Sequence, residues 1–380
     1  MRKCVSIALA AALVCALVGG LVQAQDASTV RVVIGFKGPA DARLVANAGG
    51  TVTAAYDIIP AIAATLPAAA AGKLAQDPRV AYVEPDRVVY ATSEPSPWAT
   101  APAPKDDILP WGVDRIDADR VHANGNMGDD VNICILDTGV DMDHYDLQCL
   151  GGWDFVNNDP NPDDDHGHGT SCAIVAAALQ NDTGLIGVAP EAHLYAAKVL
   201  NSAGAGYISW IISGINWAAD NGCRAMSMGF GSGTSSTALH DACDNAWARG
   251  CLLVAMAGDS GNPQGSGDNV CYPARYDSVL AVAATDRNDL RAPWSSTGPA
   301  VEVAAPGVNI PISPLTTMSS TALSCSHVLG LAALVWHAHP GYTNQQVRNA
   351  IDFTCIDLGA PGRDNLYGYG LIYAPAAVAY

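Results

Sequence analysis

Two short motifs carry side chains able to move a proton. Asp137-Thr138-Gly139-Val140 follows directly on the apolar run Val131–Leu136, which puts a carboxylate at the mouth of a buried strand. Read by itself, Asp-Thr-Gly is a turn sequence, since aspartate and glycine both favour tight reversals. Further along stands His166-Gly167-His168-Gly169-Thr170, where flanking glycines leave the His168 ring accessible and a following apolar helix fixes its backbone. A carboxylate that holds an imidazole in one tautomer makes that imidazole a general base. Cys172 lies one helical turn beyond His168, and the reading for it is a buried inert thiol, because burial raises thiol pKa. A third candidate chemistry is calcium binding. Asp141, Asp143, Asp159 and Asp163 are candidate ligands in a run that also holds Asp146, Asp164, Asp165, Asn157 and Asn158. Ca²⁺ takes six to eight oxygens, but no EF-hand spacing is present, so solvated acidic loops stay open as the alternative.

The segments that must position these residues alternate between strand and helix. Val131–Leu136, His193–Val199 and Leu252–Ala257 are near-continuous apolar strands, with helical stretches Gly169–Leu179, Gly206–Asn221 and Thr237–Arg249 among them. That pattern predicts an α/β fold, a mostly parallel sheet with helices on both faces and its chemistry beyond the carboxyl ends of the strands. Ahead of it, Thr29–Tyr90 reads as a small α+β domain. Its strands are Val30–Phe36, Val52–Ile59, Ile62–Leu66 and Val80–Val83, and its helices Ala40–Asn47 and Ala68–Gln76. Ala91–Lys105, with four prolines, has linker composition. The division is residues 1–24, 25–90, 91–107 and 108–380.

Residues 1–24 read as a secretory signal: a basic start at Arg2-Lys3, an apolar stretch from Val5 to Val22, and a Val22-Gln23-Ala24 cleavage site. The expectation is a secreted protein, extracellular or periplasmic, without a membrane anchor after cleavage. Residues 105–380 carry 30 acidic and 11 basic side chains within an overall formal charge of −18, which argues against nucleic acid or an anionic membrane as partner. Nine cysteines remain after residue 24, so in an oxidising compartment some would pair and at least one would not.

Together the motifs resemble the subtilisin-like serine proteases, the subtilase family. The likeness runs from about Pro110 onward through Leu136-Asp137-Thr138-Gly139, His168-Gly169-Thr170, Gly187-Val188-Ala189-Pro190, Tyr272-Pro273-Ala274-Arg275 and Ala304-Ala305-Pro306-Gly307-Val308. Thr29–Tyr90, ending in Tyr82-Val83-Glu84-Pro85-Asp86, is similar to the family's inhibitor-type propeptide. The resemblance implies that His168 is the general base and Asp137 holds its tautomer. It also implies that Ala203, Gly204, Gly206, Phe230 and Gly231 line a cleft that pairs with an extended peptide. No cofactor is required by it, although structural Ca²⁺ suits the family. The implied partners are the chain's own propeptide and an extended peptide or protein, and a monomer is expected.

Two departures from the family pattern bear directly on catalysis. Where the family reads Gly-Thr-Ser-Met-Ala, two residues, then His-Val, this chain reads Ser320-Thr321-Ala322-Leu323-Ser324-Cys325-Ser326-His327-Val328. The nucleophile position is Ala322, and a methyl group cannot attack a carbonyl. Ser320, Thr321 and Ser324 are close in sequence, but one residue along a helix turns a side chain by about 100°, so none replaces the missing oxygen. The family's Ala-Ala-Gly-Asn is Met256-Ala257-Gly258-Asp259, which puts an acceptor-only carboxylate at the oxyanion position. The expectation is a subtilase homologue impaired or inactive in catalysis, which keeps its propeptide attached with Val88–Ala91 in the cleft. The alternatives are an active endopeptidase using another arrangement and a non-catalytic peptide- or protein-binding pseudoprotease.

Overall fold

The computed structural model describes residues 28–92 and 105–380. The expected signal sequence and most of the expected linker lie outside those residues.

The N-terminal unit comprises β1 (Thr29–Phe36), α1 (Ala42–Asn47), β2 (Thr51–Ala55), β3 (Ala61–Pro67), α2 (Ala68–Leu74) and β4 (Val80–Pro85). Its strands form an antiparallel sheet in the order β2-β3-β1-β4. Strand alternation sends its apolar residues to two destinations. Val32, Ile34, Phe36, Ile62 and Leu66 pack with Val45 of α1 and Leu74 of α2. Val33, Ala61 and Ala63 face the other way and join the core of the larger domain. The strand expected over Val52–Ile59 ends at Ala55, because Tyr56, Ile58 and Ile59 turn away to pack on that domain. A further strand, β5 (Val88–Ala91), leaves the unit and runs into the larger domain.

The larger domain begins with β6 (Asp107–Ile108), α3 (Trp111–Arg115) and α4 (Ala118–His122). Then follow β7 (Asn132–Asp137), β8 (Cys149–Asp154), α5 (His168–Ala177), β9 (Gly184–Leu185), β10 (His193–Lys198), β11 (Ala205–Tyr207), α6 (Ile208–Asp220), β12 (Ala225–Met228), β13 (Phe230–Gly231) and α7 (Thr237–Ala248). The remaining elements needed here are β14 (Leu252–Met256), β15 (Val279–Thr285), β16 (Val301–Pro306), α8 (Thr321–Ala338) and α9 (Asn344–Phe353). Seven strands make one parallel sheet in the order β16-β15-β14-β12-β7-β10-β8.

Side-chain alternation in the central strands decides the layering. Ile133 and Ile135 of β7 share a core with α5 and α8, while Cys134 and Leu136 share one with α6 and α7. A strand apolar on both faces must be covered on both, as the sequence pattern predicted. α8 is long and apolar enough to cross a membrane, but all except two of its residues are buried in this core. The helix expected over Gly206–Asn221 starts two residues later, because Gly206 and Tyr207 extend β11 to pair with β5. The expected cysteine pairing is absent among the described residues. All nine thiols are free, and Cys134, Cys172, Cys223, Cys243, Cys251 and Cys325 are buried, packing as small hydrophobes.

Candidate active site

β7 ends on Asp137 and α5 begins on His168, so a strand terminus and a helix terminus deliver both groups to one edge of the sheet. His168 Nδ1–H donates to Asp137 Oδ1 at 2.7 Å, the tautomer that leaves Nε2 as the acceptor. Asp137 Oδ1 also accepts from Thr138 N at 2.7 Å, and Gly169 N donates to Thr138 Oγ1 at 2.9 Å, tying the start of α5 to the end of β7. Burial pulls the His168 pKa down, but the Asp137 charge and hydrogen bond, with Asp164 and Asp259 behind them, push it up overall. Lys198, buried at the end of β10, donates to the carbonyls of Thr138 (2.6 Å) and Leu200 (3.0 Å) and to Asp165 (2.5 Å). It braces the loop that carries Thr138. Sequence reasoning passed over it, though a single lysine inside the apolar run His193–Val199 was the available signal.

His168 Nε2 is buried with no hydrogen-bond partner among the described residues. Gly229 shows what lies beside the ring. A Cβ built on Gly229 would lie 3.0 Å from His168 Cε1, 2.6 Å from Asp137 Oδ2 and 3.3 Å from the methyl of Ala322. Imidazole, carboxylate and methyl therefore surround one point, and no oxygen of residue 322 is there to receive the base.

Asp259 is turned onto the start of α8. Its Oδ1 accepts from Thr321 N (3.0 Å) and Thr321 Oγ1 (2.7 Å), and its Oδ2 accepts from Ser320 Oγ (2.9 Å). Ser320 is the N-cap of α8, and its Oγ accepts from Ala322 N at 3.0 Å. The backbone N–H at the nucleophile position is thus satisfied within the chain, and the side chain beside it offers no donor. An arrangement that stabilises a developing oxyanion needs free donors. Neither Asp259 nor Ala322 supplies one.

The cleft holds the chain's own β5. Val88, Val89 and Tyr90 pair antiparallel with Tyr207, Gly206 and Ala205 of β11, while Tyr90 and Ala91 pair with Gly231 and Phe230 of β13. Ala91 N donates to Gly204 O at 2.8 Å. Of the expected cleft residues, Gly204, Gly206, Phe230 and Gly231 contact this strand. Ala203 does not pair with it; its N–H turns inward to Asn201 Oδ1 at 2.9 Å. Two acids just before β5 fasten it. Glu84 accepts from Thr237 N (2.9 Å), Ala238 N (3.1 Å) and the Ser236 hydroxyl at the start of α7. Asp86 accepts from Ser209 N and Ser209 Oγ, both at 2.8 Å, at the start of α6, and pairs with Arg31. Carboxylates are favoured at helix N-termini by the unpaired N–H groups there.

The four carboxylates expected to hold calcium do not converge. Among the described residues, the one group of three or more acidic, His or Cys side chains with all ligand atoms within 4.8 Å is Asp137, His168 and Cys172. Asp141 and Asp143 are joined to each other through a turn, Asp163 accepts from Met142 N, and Asp159 accepts from Asn161 N. One oxygen each of Asp141, Asp159 and Asp163 is thus engaged by local backbone N–H groups. Cys172 sits beneath the His168 ring as expected, and burial, then the charge of Asp137, hold its thiol well above the usual range. Cys325 is likewise buried and raised, its Sγ 3.3 Å from Val254 O.

A parallel α/β domain with an Asp–His pair at one sheet edge, entered by the tail of a small antiparallel domain, defines the class of a protease precursor fold. The match with known families is specific. Residues 128–370 match the subtilase family, and residues 28–92 match the peptidase inhibitor I9 family. The chain is 39% identical over 339 residues to Subtilisin E of Bacillus subtilis (strain 168), covering 88% of this chain and 84% of that protein. It is 45% identical over 274 residues to Subtilisin DY of Bacillus licheniformis, covering 71% and 98%. It is 38% identical over 326 residues to an alkaline protease of Alkalihalobacillus alcalophilus, covering 85% and 80%. The chain belongs to the subtilase family.

Proposed function

We propose that this chain is an exported subtilase homologue whose cleft binds an extended peptide strand and whose reaction centre does not hydrolyse it. One observation carries the reading: the methyl of Ala322 and the His168 ring lie 3.3 Å and 3.0 Å from one point beside Gly229, and His168 Nε2 has no partner among the described residues. In this reading His168 and Asp137 keep the roles of base and orienting carboxylate, with no proton to take. Loss of the nucleophile in a subtilisin costs about 10⁶-fold in turnover. Loss of one oxyanion donor costs about 10²- to 10³-fold. Export rests on the pattern of Met1–Ala24, and the chain's own propeptide is the first ligand of the cleft.

The place that suits Ca²⁺ pairs one member of the acidic run, Asp146, with Asp107 ahead of it. Asp107 Oδ1 and Asp146 Oδ1 are buried without partners among the described residues. Asp146 also accepts from Leu185 N at 2.7 Å, and burial, with the charge of Asp107, pushes its pKa up to about 7. Two orphaned carboxylate oxygens suit a hard cation, which would neutralise both.

The reading is tested with a serine-directed fluorophosphonate and a fluorogenic peptide, applied to the full chain and to chain nicked in the linker by a separate protease. No labelling and no turnover are expected in either form. The second reading, peptide-bond hydrolysis, is favoured by relatives named as proteases. It would be established by turnover that His168→Ala abolishes.

A further inference from the structure

The residue after β5 meets a side chain that the family pattern does not provide. Thr92 Oγ1 lies 3.0 Å from Ser320 Oγ, at a position where the family carries glycine. The hydrogen-bond inventory of Ser320 fixes which partner it can take. Its one proton goes to Asp259 Oδ2 at 2.9 Å, because a carboxylate only accepts. One lone pair accepts from Ala322 N at 3.0 Å. What remains is a second lone pair, aimed at Thr92, so Thr92 must donate. Ser320 itself is wholly buried and cannot turn to water for another arrangement. Among the described residues, the other polar neighbour of Thr92 Oγ1 is Met256 Sδ at 3.6 Å, also an acceptor only.

From this geometry we infer that Ser320 makes the cleft selective for a strand whose next residue carries a hydroxyl donor, threonine or serine. The inference rests on the strand-binding function proposed above and adds its ligand class. The serine at 320 and the aspartate at 259 act together: Asp259 takes the Ser320 proton and leaves an acceptor facing the ligand. A valine at the ligand position has the shape of threonine but leaves that acceptor unpaired. An aspartate there brings a second carboxylate towards Asp259, and the single Ser320 proton cannot serve both. A site built to hydrogen-bond a hydroxyl discriminates against analogues lacking it, because a buried polar group is otherwise stranded. In the cleft itself, the departures at 259 and 320 exchange an oxyanion site for a hydroxyl-reading one.

The test uses the full chain, with its own tail as the ligand. Amide hydrogen exchange at Val89, Tyr90 and Ala91 reads how firmly β5 is seated. It is measured in the unmodified chain, in Thr92→Ser, Thr92→Val and Thr92→Asp, and in Ser320→Gly with and without Thr92→Val. Glycine at an N-cap is tolerated, so Ser320→Gly keeps α8 folded. Protection equal in Thr92 and Thr92→Ser is expected. It should fall about 2- to 10-fold in Thr92→Val, and further in Thr92→Asp. The Thr92→Val effect should vanish in the Ser320→Gly background. Equal protection for threonine and valine would overturn the inference, as would a hydroxyl preference that survives Ser320→Gly. If β5 shows no protection in the unmodified chain, it is the strand-binding function that fails, and the inference with it.

Discussion

Two regions of this molecule meet the same propeptide and differ in how completely they are built. At the dock, Glu84 and Asp86 each find the N–H and hydroxyl donors of a helix start, and Tyr56 Oη and Ile58 N reach Ser209 O (3.1 Å) and Asn216 Oδ1 (2.8 Å) on α6. At the reaction centre, His168 Nε2 and Asp137 Oδ2 are buried without partners among the described residues, and Asp259, Ser320, Thr321 and the Ala322 N–H satisfy one another. The contrast teaches that binding and chemistry are separable in this fold. Binding depends on backbone ladders and helix termini, which tolerate most side-chain changes. Chemistry depends on two or three atoms, so a single substitution can remove it.

The largest effect should come from rebuilding the weaker region. Ala322→Ser is expected to restore measurable hydrolysis of a fluorogenic peptide after the linker has been cut. Adding Asp259→Asn should raise turnover further, by about 2 kcal/mol or more of transition-state stabilisation. Asp259→Asn alone should leave the chain inert, since a donor without a nucleophile has no oxyanion to stabilise. A folded, open double variant that stays silent would show that the centre differs at more than these positions.

Breaking the stronger region should have an intermediate effect. Glu84→Ala and Asp86→Ala each remove a helix cap worth about 1 kcal/mol. The pair together should therefore loosen β5 by roughly tenfold or more, read as faster exchange at Val89–Ala91 and faster nicking of the linker by an added protease. Unchanged exchange would mean that the apolar contacts of Val33, Tyr56, Ile58 and Val89 hold the unit alone.

Much of this contrast was legible in the sequence. Asp137 and His168 sit where an apolar strand ends and an apolar helix begins, and periodicity alone exposes such places. The sequence reading set Ala322 at the nucleophile position because flanking motifs fix its register, and the structure brings its methyl near the His168 ring. The tail in the cleft was expected at Val88–Ala91, where β5 lies. Other features depend on where a side chain turns in three dimensions. Whether Asp259 faces an oxyanion or the start of α8 is decided by Ser320 and Thr321, on another element. Asp107 lies far ahead of Asp146 in sequence, so composition marked the dense run Asp141–Asp165, which includes Asp146, and passed over Asp107. The strand expected across Val52–Ile59 had the right apolar residues, but Tyr56, Ile58 and Ile59 serve the interface with α6 and not the sheet.

A smaller effect, on stability, should follow pH. Burial holds Asp146 at about 7 and, with the charge of Glu302, Asp352 of α9 at about 9. A carboxyl raised in the folded state stabilises fully below its unfolded value near pH 4 and loses that contribution as pH rises through the folded value. With a chelator present, Tm should fall from about pH 5 to pH 9. Calcium should flatten the part near pH 7, because the cation replaces the proton of Asp146. Asp352→Asn should flatten the part near pH 9. A Tm indifferent to calcium across this range would remove the case for a cation at Asp107 and Asp146.

The proposed contrast between an intact dock and an incomplete centre is tested most directly by the intact mass of the chain, purified from a protease-deficient host and followed over days. A single species retaining Val88–Ala91 joined to the domain that begins at Asp107 is expected, identical in the unmodified chain and in His168→Ala. Spontaneous conversion of the unmodified chain to a shorter one beginning near the linker, absent in His168→Ala, would contradict the assignment of Ala322 as a lost nucleophile.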